Sequence, residues 1–170
     1  MIDKLKYVFL GIVILPLAVF AQGLKVHSST DLVVSSAAKI VLSENASFEN
    51  AGNFIHGNGE VIFSGNANQE IAGTSTSTFY DLDINKSGGD LLAATDFNVA
   101  NQLKMTSGQL DLQNATVDLG TAGIIVNETE TNRIKVGNIS TNIGTIQATH
   151  TINAVTDYNP ANLGVLISTD

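Results

Sequence analysis

The side chains able to do chemistry are few and widely spaced. Asp81 and Asp83 stand at i and i+2, and Asp111 and Asp118 stand seven residues apart. Carboxylates so paired can serve as acid and base, or as hard oxygen ligands for Ca²⁺, so these four residues are the candidate calcium set and no other cofactor is expected. Arg133, the only arginine, shares the i, i+2 relation with Lys135. A lyase needs such a cation beside carboxylates, and none adjoins these two in sequence. His27, His56 and His150 are isolated, with His56 in the turn His56-Gly57-Asn58-Gly59. The hydroxyl run Thr74-Ser75-Thr76-Ser77-Thr78 occurs once and reads as a loop. G-x-S-x-G, H-E-x-x-H, a phosphate-binding glycine loop and the glycine-aspartate nonapeptide of calcium β-rolls do not occur. The simpler reading of the acidic residues is that they mark the solvent side of strands whose other side is apolar.

A seven-residue step supplies the elements that position them. Leu103-Lys104-Met105, Leu110-Asp111-Leu112, Val117-Asp118-Leu119 and Ile124-Ile125-Val126 follow one another at constant spacing, separated by Thr106-Ser107-Gly108, Gln113-Asn114 and Gly120-Thr121. In a coiled coil the apolar residues of a heptad fall at i and i+3 over uninterrupted helix formers. Here they fall at i and i+2, with glycines between. That alternation puts two apolar side chains on one face of a short strand, with Lys104, Asp111 and Asp118 toward solvent. Strands of three or four residues separated by turns, three to a coil, make a triangular turn of about 21 residues. Successive coils then stack at about 4.8 Å through parallel ladders. The expected fold is all-β, a right-handed parallel β-helix, or β-solenoid, following a leader.

The pattern runs back with looser spacing through Leu32 and Val34, Ile40 and Leu42, Val61 and Phe63, Leu82 and Ile84, Leu91 and Leu92, and Phe97 and Val99. Between Leu24 and Val136 there is room for about five coils. Phe48, Phe54, Phe63, Phe79 and Phe97 are expected to point inward and stack on neighbouring coils rather than form a ligand surface. The ends of a β-helix expose unpaired backbone, so Gly23 to Ser36 and Gly137 to Asp170 are expected to be atypical. The last segment reads as strands around Thr145–Ala148 and Leu163–Ile167 with a turn at Tyr158-Asn159-Pro160. It is a cap, a terminal strand or the start of a further domain.

Composition agrees with a winding chain. Of 170 residues, 17 are Asn, 16 Thr and 13 Ser, against 14% charged residues and no cysteine. Asn, Ser, Thr and Gly serve turns and strand surfaces better than helix interiors. Residues 1–21 stand apart. Lys4 and Lys6 precede the apolar run Tyr7 to Phe20, and Val19 and Ala21 occupy the positions a signal peptidase reads. The run is shorter than the ~20 residues that span a bilayer and contains Pro16, so a cleaved leader is favoured over a membrane anchor. The resulting division is a signal peptide at 1–21, a β-solenoid at 22–136 and an irregular β segment at 137–170. Losing Asp3, Lys4 and Lys6 with the leader takes the formal charge from −8 to −9. An acidic chain without a basic cluster excludes nucleic acid and anionic lipid as natural partners. The mature chain is expected outside the cytoplasm, with no membrane span.

The phrase Gly59-Glu60-Val61-Ile62-Phe63-Ser64-Gly65, then Gln69-Glu70-Ile71-Ala72-Gly73, then Phe79-Tyr80-Asp81-Leu82-Asp83-Ile84-Asn85-Lys86 resembles an element of large secreted β-helical repeat proteins of Bacteroidota, adhesin-like chains that are often type 9 secretion substrates. The steps from Leu103 to Leu119 and the leader ending Ala21-Gln22 are similar to theirs. The resemblance implies a secreted or cell-surface stalk or adhesin-like region, non-catalytic, a fragment of a longer protein, with extracellular glycan or other surface proteins as partners. A sorting domain of that route is not found before Asp170. The alternative function is a carbohydrate-active or glycan-binding β-helix of the polysaccharide lyase or hydrolase kind.

Overall fold

The structure, a computed structural model, describes residues 23–153 and 155–169; the leader expected at residues 1–21 lies outside the described residues. Thirteen strands follow in order: β1 (Leu24–Val26), β2 (Asp31–Val33), β3 (Lys39–Leu42), β4 (Phe48–Asn50), β5 (Asn53–Ile55), β6 (Glu60–Gly65), β7 (Gln69–Gly73), β8 (Ser77–Ala93), β9 (Phe97–Asp111), β10 (Thr116–Asp118), β11 (Ile124–Val126), β12 (Arg133–Lys135) and β13 (Thr145–Gln147). Every ladder between them is parallel. Paired residues lie 19 to 24 positions apart, and 29 apart where β10 meets β13. The chain is therefore a β-solenoid of about five turns, with the coil length that the seven-residue step predicts.

The coil has three sides. The first stacks β1, β4, β7, the ends of β8 and β9, and β12. The second holds β2 and β5, then the starts of β8 and β9, β10 and β13. The third holds β3, β6, the middles of β8 and β9, and β11. On the second side β2 and β5 form a ladder of their own. Phe54 crosses that break by packing on Phe79 at 5.6 Å.

Expected strands of three or four residues give way to strands of 17 and 15 residues in β8 and β9. These two keep their ladder while rounding the corners, through register shifts between Phe79 and Asp81, Ile84 and Asn85, and Asn85 and Asp90. A bulge bends a strand without ending its pairing. Gly108 makes one such corner at φ 84, a left-handed conformation that glycine adopts without strain. At Gly73 a Cβ would collide with the Asn50 carbonyl of the coil above, so the two backbones meet there only because the side chain is absent.

Inside, the alternation fills the coil as expected. Leu82 and Ile84, Leu103 and Met105, and Leu110 and Val117 are fully buried. Phe48 meets Phe54 at 5.1 Å and Phe79 at 5.3 Å, and Phe79 meets Phe97 at 5.8 Å. These tilted and edge-on contacts are the geometry that aromatic quadrupoles favour. Two pairs depart from expectation. Leu91 points inward with Ala93, not Leu92, and in β11 Ile125 is the buried residue, with Ile124 and Val126 half-buried. The Gly120–Gly123 turn shifts the phase by one residue, and one residue reverses a strand's faces.

The ends also differ from expectation. Gly23 to Ser36 is an ordinary coil, with β1 and β2 in register on the next turn. The ladder passes residue 136 and reaches Gln147 through β13. Beyond it, Leu163–Ile167 is not a strand: a single antiparallel bridge joins Tyr158 to Ile167. A 3-10 turn at Pro160–Asn162 buries Ala161, and Asn162 donates from Nδ2 to the Ile125 carbonyl at 2.8 Å. This closes part of the last coil's edge. Among the described residues no helix is long and apolar enough to cross a membrane.

Candidate functional site

Charge concentrates on the outer face of the third side, because β3, β6, β8 and β9 hold their residues in register there. One row runs Lys39, Glu60, Asp81, Gln102; the next runs Val41, Ile62, Asp83, Lys104. Leu82 and Ile84 point inward, so Asp81 and Asp83 share the outer face as their spacing requires.

Their partners set their chemistry. Glu60, largely buried, receives Lys39 Nζ on Oε2 at 2.6 Å and Lys104 Nζ on Oε1 at 2.7 Å. Lys104 also approaches Asp81 Oδ2 at 3.4 Å, and Asn101 donates to Asp81 Oδ1 at 2.7 Å. Hydrogen bonds from Lys104 and Lys39 hold the Glu60 carboxyl below its ordinary value, against the burial that would raise it. Burial pulls the Lys104 ammonium down, but its hydrogen bond to Glu60 and the charge of Asp81 more than offset this and leave it raised. A carboxyl held ionised by two ammonium groups is a poor proton donor near neutral pH. These charges, one on each of β3, β6, β8 and β9, tie four successive coils together. Asp83 is also buried, and its Oδ1 has no hydrogen-bond partner among the described residues.

The other two candidates lie elsewhere. Asp111 is on the first side and Asp118 on the second. Asp111, expected in solvent, is buried: its Oδ1 accepts from the backbone N–H of Gln113 at 3.0 Å and of Gly137 at 2.9 Å. A carboxylate two residues before an N–H forms a turn of its own, and this one also pins the following coil. Asp118 Oδ1 accepts from Gly120 N–H at 2.8 Å in the same way. The structure thus brings Asp81 and Asp83 together and keeps Asp111 and Asp118 apart. Among the described residues no three His, Cys, Asp or Glu side chains are placed to hold a metal ion.

Lys135 does acquire a carboxylate, Asp90 at 2.8 Å, from two coils back and 45 residues away in sequence. His56 Nδ1 lies 2.6 Å from the Gly57 carbonyl, and its ring stacks on Tyr80. His150 Nδ1 is 2.9 Å from the Tyr158 hydroxyl. Of the hydroxyl run, Ser77 and Thr78 begin β8 and are not loop.

A buried polar ladder was missed in sequence. Gln69 donates to the Leu42 and Ala46 carbonyls at 2.9 and 2.8 Å, and its Oε1 accepts from Lys86 Nζ at 2.7 Å. Lys86, 2% exposed, also donates to the Ala67 carbonyl at 2.8 Å. Burial lowers its pKa, with Asp90 opposing. Asn50 Nδ2 donates to Ser77 Oγ at 3.0 Å inside the coil. All three residues face backbone or side chains of a neighbouring turn, so the only sequence signal is their spacing near the coil length. Comparison with protein-family profiles, with curated proteins and with solved structures returned no match.

Proposed function

We propose that this chain is a secreted or cell-surface structural segment, an adhesin-like β-solenoid that holds its shape and does no catalysis. The observation that carries the reading is the use made of its carboxylates. Glu60, Asp81, Asp90 and Asp111 are each engaged by a lysine, an asparagine or a backbone N–H of another coil. Side chains committed to bracing neighbouring turns, and in Lys104–Glu60 and Lys135–Asp90 turns that lie two apart, stiffen a stack of repeated turns into a rod. Five steps of about 4.8 Å give this segment a length of ~24 Å along its axis.

The leader motivates export, and sequencing the N-terminus of exported protein tests it: a start at Gln22 supports the reading, and a retained Met1 overturns it. Catalysis is tested by incubating the chain with uronate and neutral polysaccharides and assaying unsaturated products and new reducing ends. No product is expected. Product formation lost in Asp81→Asn or Asp111→Asn would make the chain a carbohydrate-active β-helix instead.

A further inference from the structure

The first coil presents a sheet edge on all three sides. Within the described residues β1 pairs with β4, β2 with β5 and β3 with β6, and none of the three has a strand on its other side. Bonds to the second coil come from alternate residues. The Leu24 and Val34 N–H groups donate to the Ser47 and Ile55 carbonyls, and the Val26, Thr30 and Ala38 carbonyls accept from Ala51, Asn53 and Glu60 N–H. In a parallel ladder the residues between these turn their N–H and C=O the opposite way. Lys25, Asp31, Val33, Lys39 and Val41 therefore aim backbone donors and acceptors along the axis, out of the first coil. Leu24, Leu32 and Ile40 bring the core to the same end and are only partly buried.

Edges left open are commonly blunted by proline, a bulge or a free lysine, because they template pairing with another chain. This edge has none of these. No proline lies between Leu24 and Leu42, and the three ladders run without a register shift. Lys25 and Lys39 are drawn onto Glu49 and Glu60 of the second coil, both at 2.6 Å. Val33 and Val41, two of the edge-facing residues, are more than half exposed. The opposite end differs: Asn162 donates to the Ile125 carbonyl and Ala161 is buried, so the chain's own tail covers part of that edge. In the exported chain beginning at Gln22, a reading on which this inference rests, only Gln22 precedes Gly23, and a cover for the first coil has to come from another chain.

We propose that two copies of the chain pair head to head through their first coils, as a two-fold dimer whose sheets run on from one copy into the other. The shape of the edge selects this occupant. Its strands, of three, three and four residues, turn two corners, so a straight peptide covers one side and leaves the others open. A coil of the same triangular section covers all three. A two-fold axis across the solenoid reverses strand direction, and with that axis through the corner at Ser35-Ser36, β2 of one copy runs antiparallel to β3 of the other. Charge favours this arrangement, since Asp31 of β2 then faces the strand that carries Lys39 in the other copy, twice over. Asp31 engages only its Oδ1, with Asn53 at 3.2 Å, and the Lys39 side chain is 65% exposed, so both keep atoms for the junction. On the remaining side β1 meets its own copy, with each Lys25 already neutralised by Glu49. An isologous pair closes on itself and ends the growth that a free edge invites.

The test is sedimentation velocity across a concentration series on the chain beginning at Gln22, which keeps every described residue. One coil's cross-section is a small interface, so a monomer–dimer equilibrium with Kd on the order of 10 μM is expected. Val33→Pro and Val41→Pro each remove an N–H that points out of the coil and no bond inside the chain, and each should weaken the dimer roughly tenfold or more. Asp31→Lys should weaken it severalfold, and adding Lys39→Glu should restore it. Circular dichroism and melting temperature, taken where the chain is monomeric, certify each variant as folded. Amide exchange needs no variant: the Val33 and Val41 N–H groups of the wild type should exchange more slowly as concentration rises through Kd. A monomer throughout the series, growth beyond the dimer, a dimer untouched by a folded proline variant, or Val33 and Val41 exchange independent of concentration overturns the pairing. The start of the exported protein is read separately by N-terminal sequencing. A retained Met1 there overturns the leader reading while sedimentation still decides the edge, so the two fail separately.

Discussion

The turns built from β6 to β9 and the segment after Val136 are made of much the same residue types, yet they hold together differently. In the first, strands run unbroken round their corners, phenylalanines touch from coil to coil, and Lys86 and Gln69 tie backbone carbonyls inside. In the second, a three-residue strand, one bridge and a 3-10 turn remain, and Ile139 and Ile143 are more than four-fifths exposed. The difference teaches that composition makes a chain able to wind, and regular spacing makes it stack. Twenty-nine residues separate β10 from β13, against 20 between β9 and β10, so the extra chain bulges out and loses its neighbours. Local stability follows the density of such contacts.

Phe79→Ala should produce the largest loss, about 3–5 kcal/mol by chemical denaturation, because its ring meets Phe48, Phe54 and Phe97 and bridges the break on the second side. A loss under 1 kcal/mol would mean that the aromatic stack does not set the central turns apart. Lys86→Ala leaves Gln69 Oε1 and the Ala67 carbonyl without their donor and should cost about 1–3 kcal/mol. Lys86→Met with Gln69→Leu tests whether the pair acts as a unit, since removing both partners should cost less than the two single losses summed.

Glu60→Gln should cost about 1 kcal/mol and flatten the acid limb of the stability curve. The Glu60 pKa is lowered in the folded chain, so the folded state binds fewer protons than the unfolded one there. Its stabilisation is full above the ordinary carboxylate value and disappears as pH falls through the lower folded value. Lys104 has the opposite sign: its pKa is raised, so its contribution is full below the ordinary lysine value and is lost as pH rises through the folded one. Urea melts across pH of Glu60→Gln read the acid limb, and those of Lys104→Met the alkaline one. Smallest of all, Ile143→Ser in the terminal segment should change stability by less than about 0.5 kcal/mol. Limited proteolysis should cut first between residues 137 and 144, and a first cut within β8 or β9 would reverse the comparison.

Much of this was legible in the residues. Apolar positions at i and i+2, repeated every seven, announce three short faces per turn, and Leu103, Met105, Leu110 and Val117 occupy the interior accordingly. The charged face was legible in principle too. Lys39, Glu60, Asp81 and Gln102 stand 21 residues apart in turn, so reading at the coil length rather than the step length would have found it. Asp111 was misplaced because alternation tells which way a side chain points, not what the next turn lays over it. Here that is Gly137, whose N–H meets the carboxylate.

The sequence by itself determined the winding: alternation fixes which side chains face inward, and turn residues fix how many make a coil, since both are local properties. Only the tertiary structure decided the phase slip at Ile125, the corners that β8 and β9 carry without breaking, the burial of Lys86 and the grouping of Glu60 with Lys39 and Lys104. Each depends on which residues of one turn lie over those of the next. That register is summed over every insertion in the intervening 20 or so residues, and no local pattern records it.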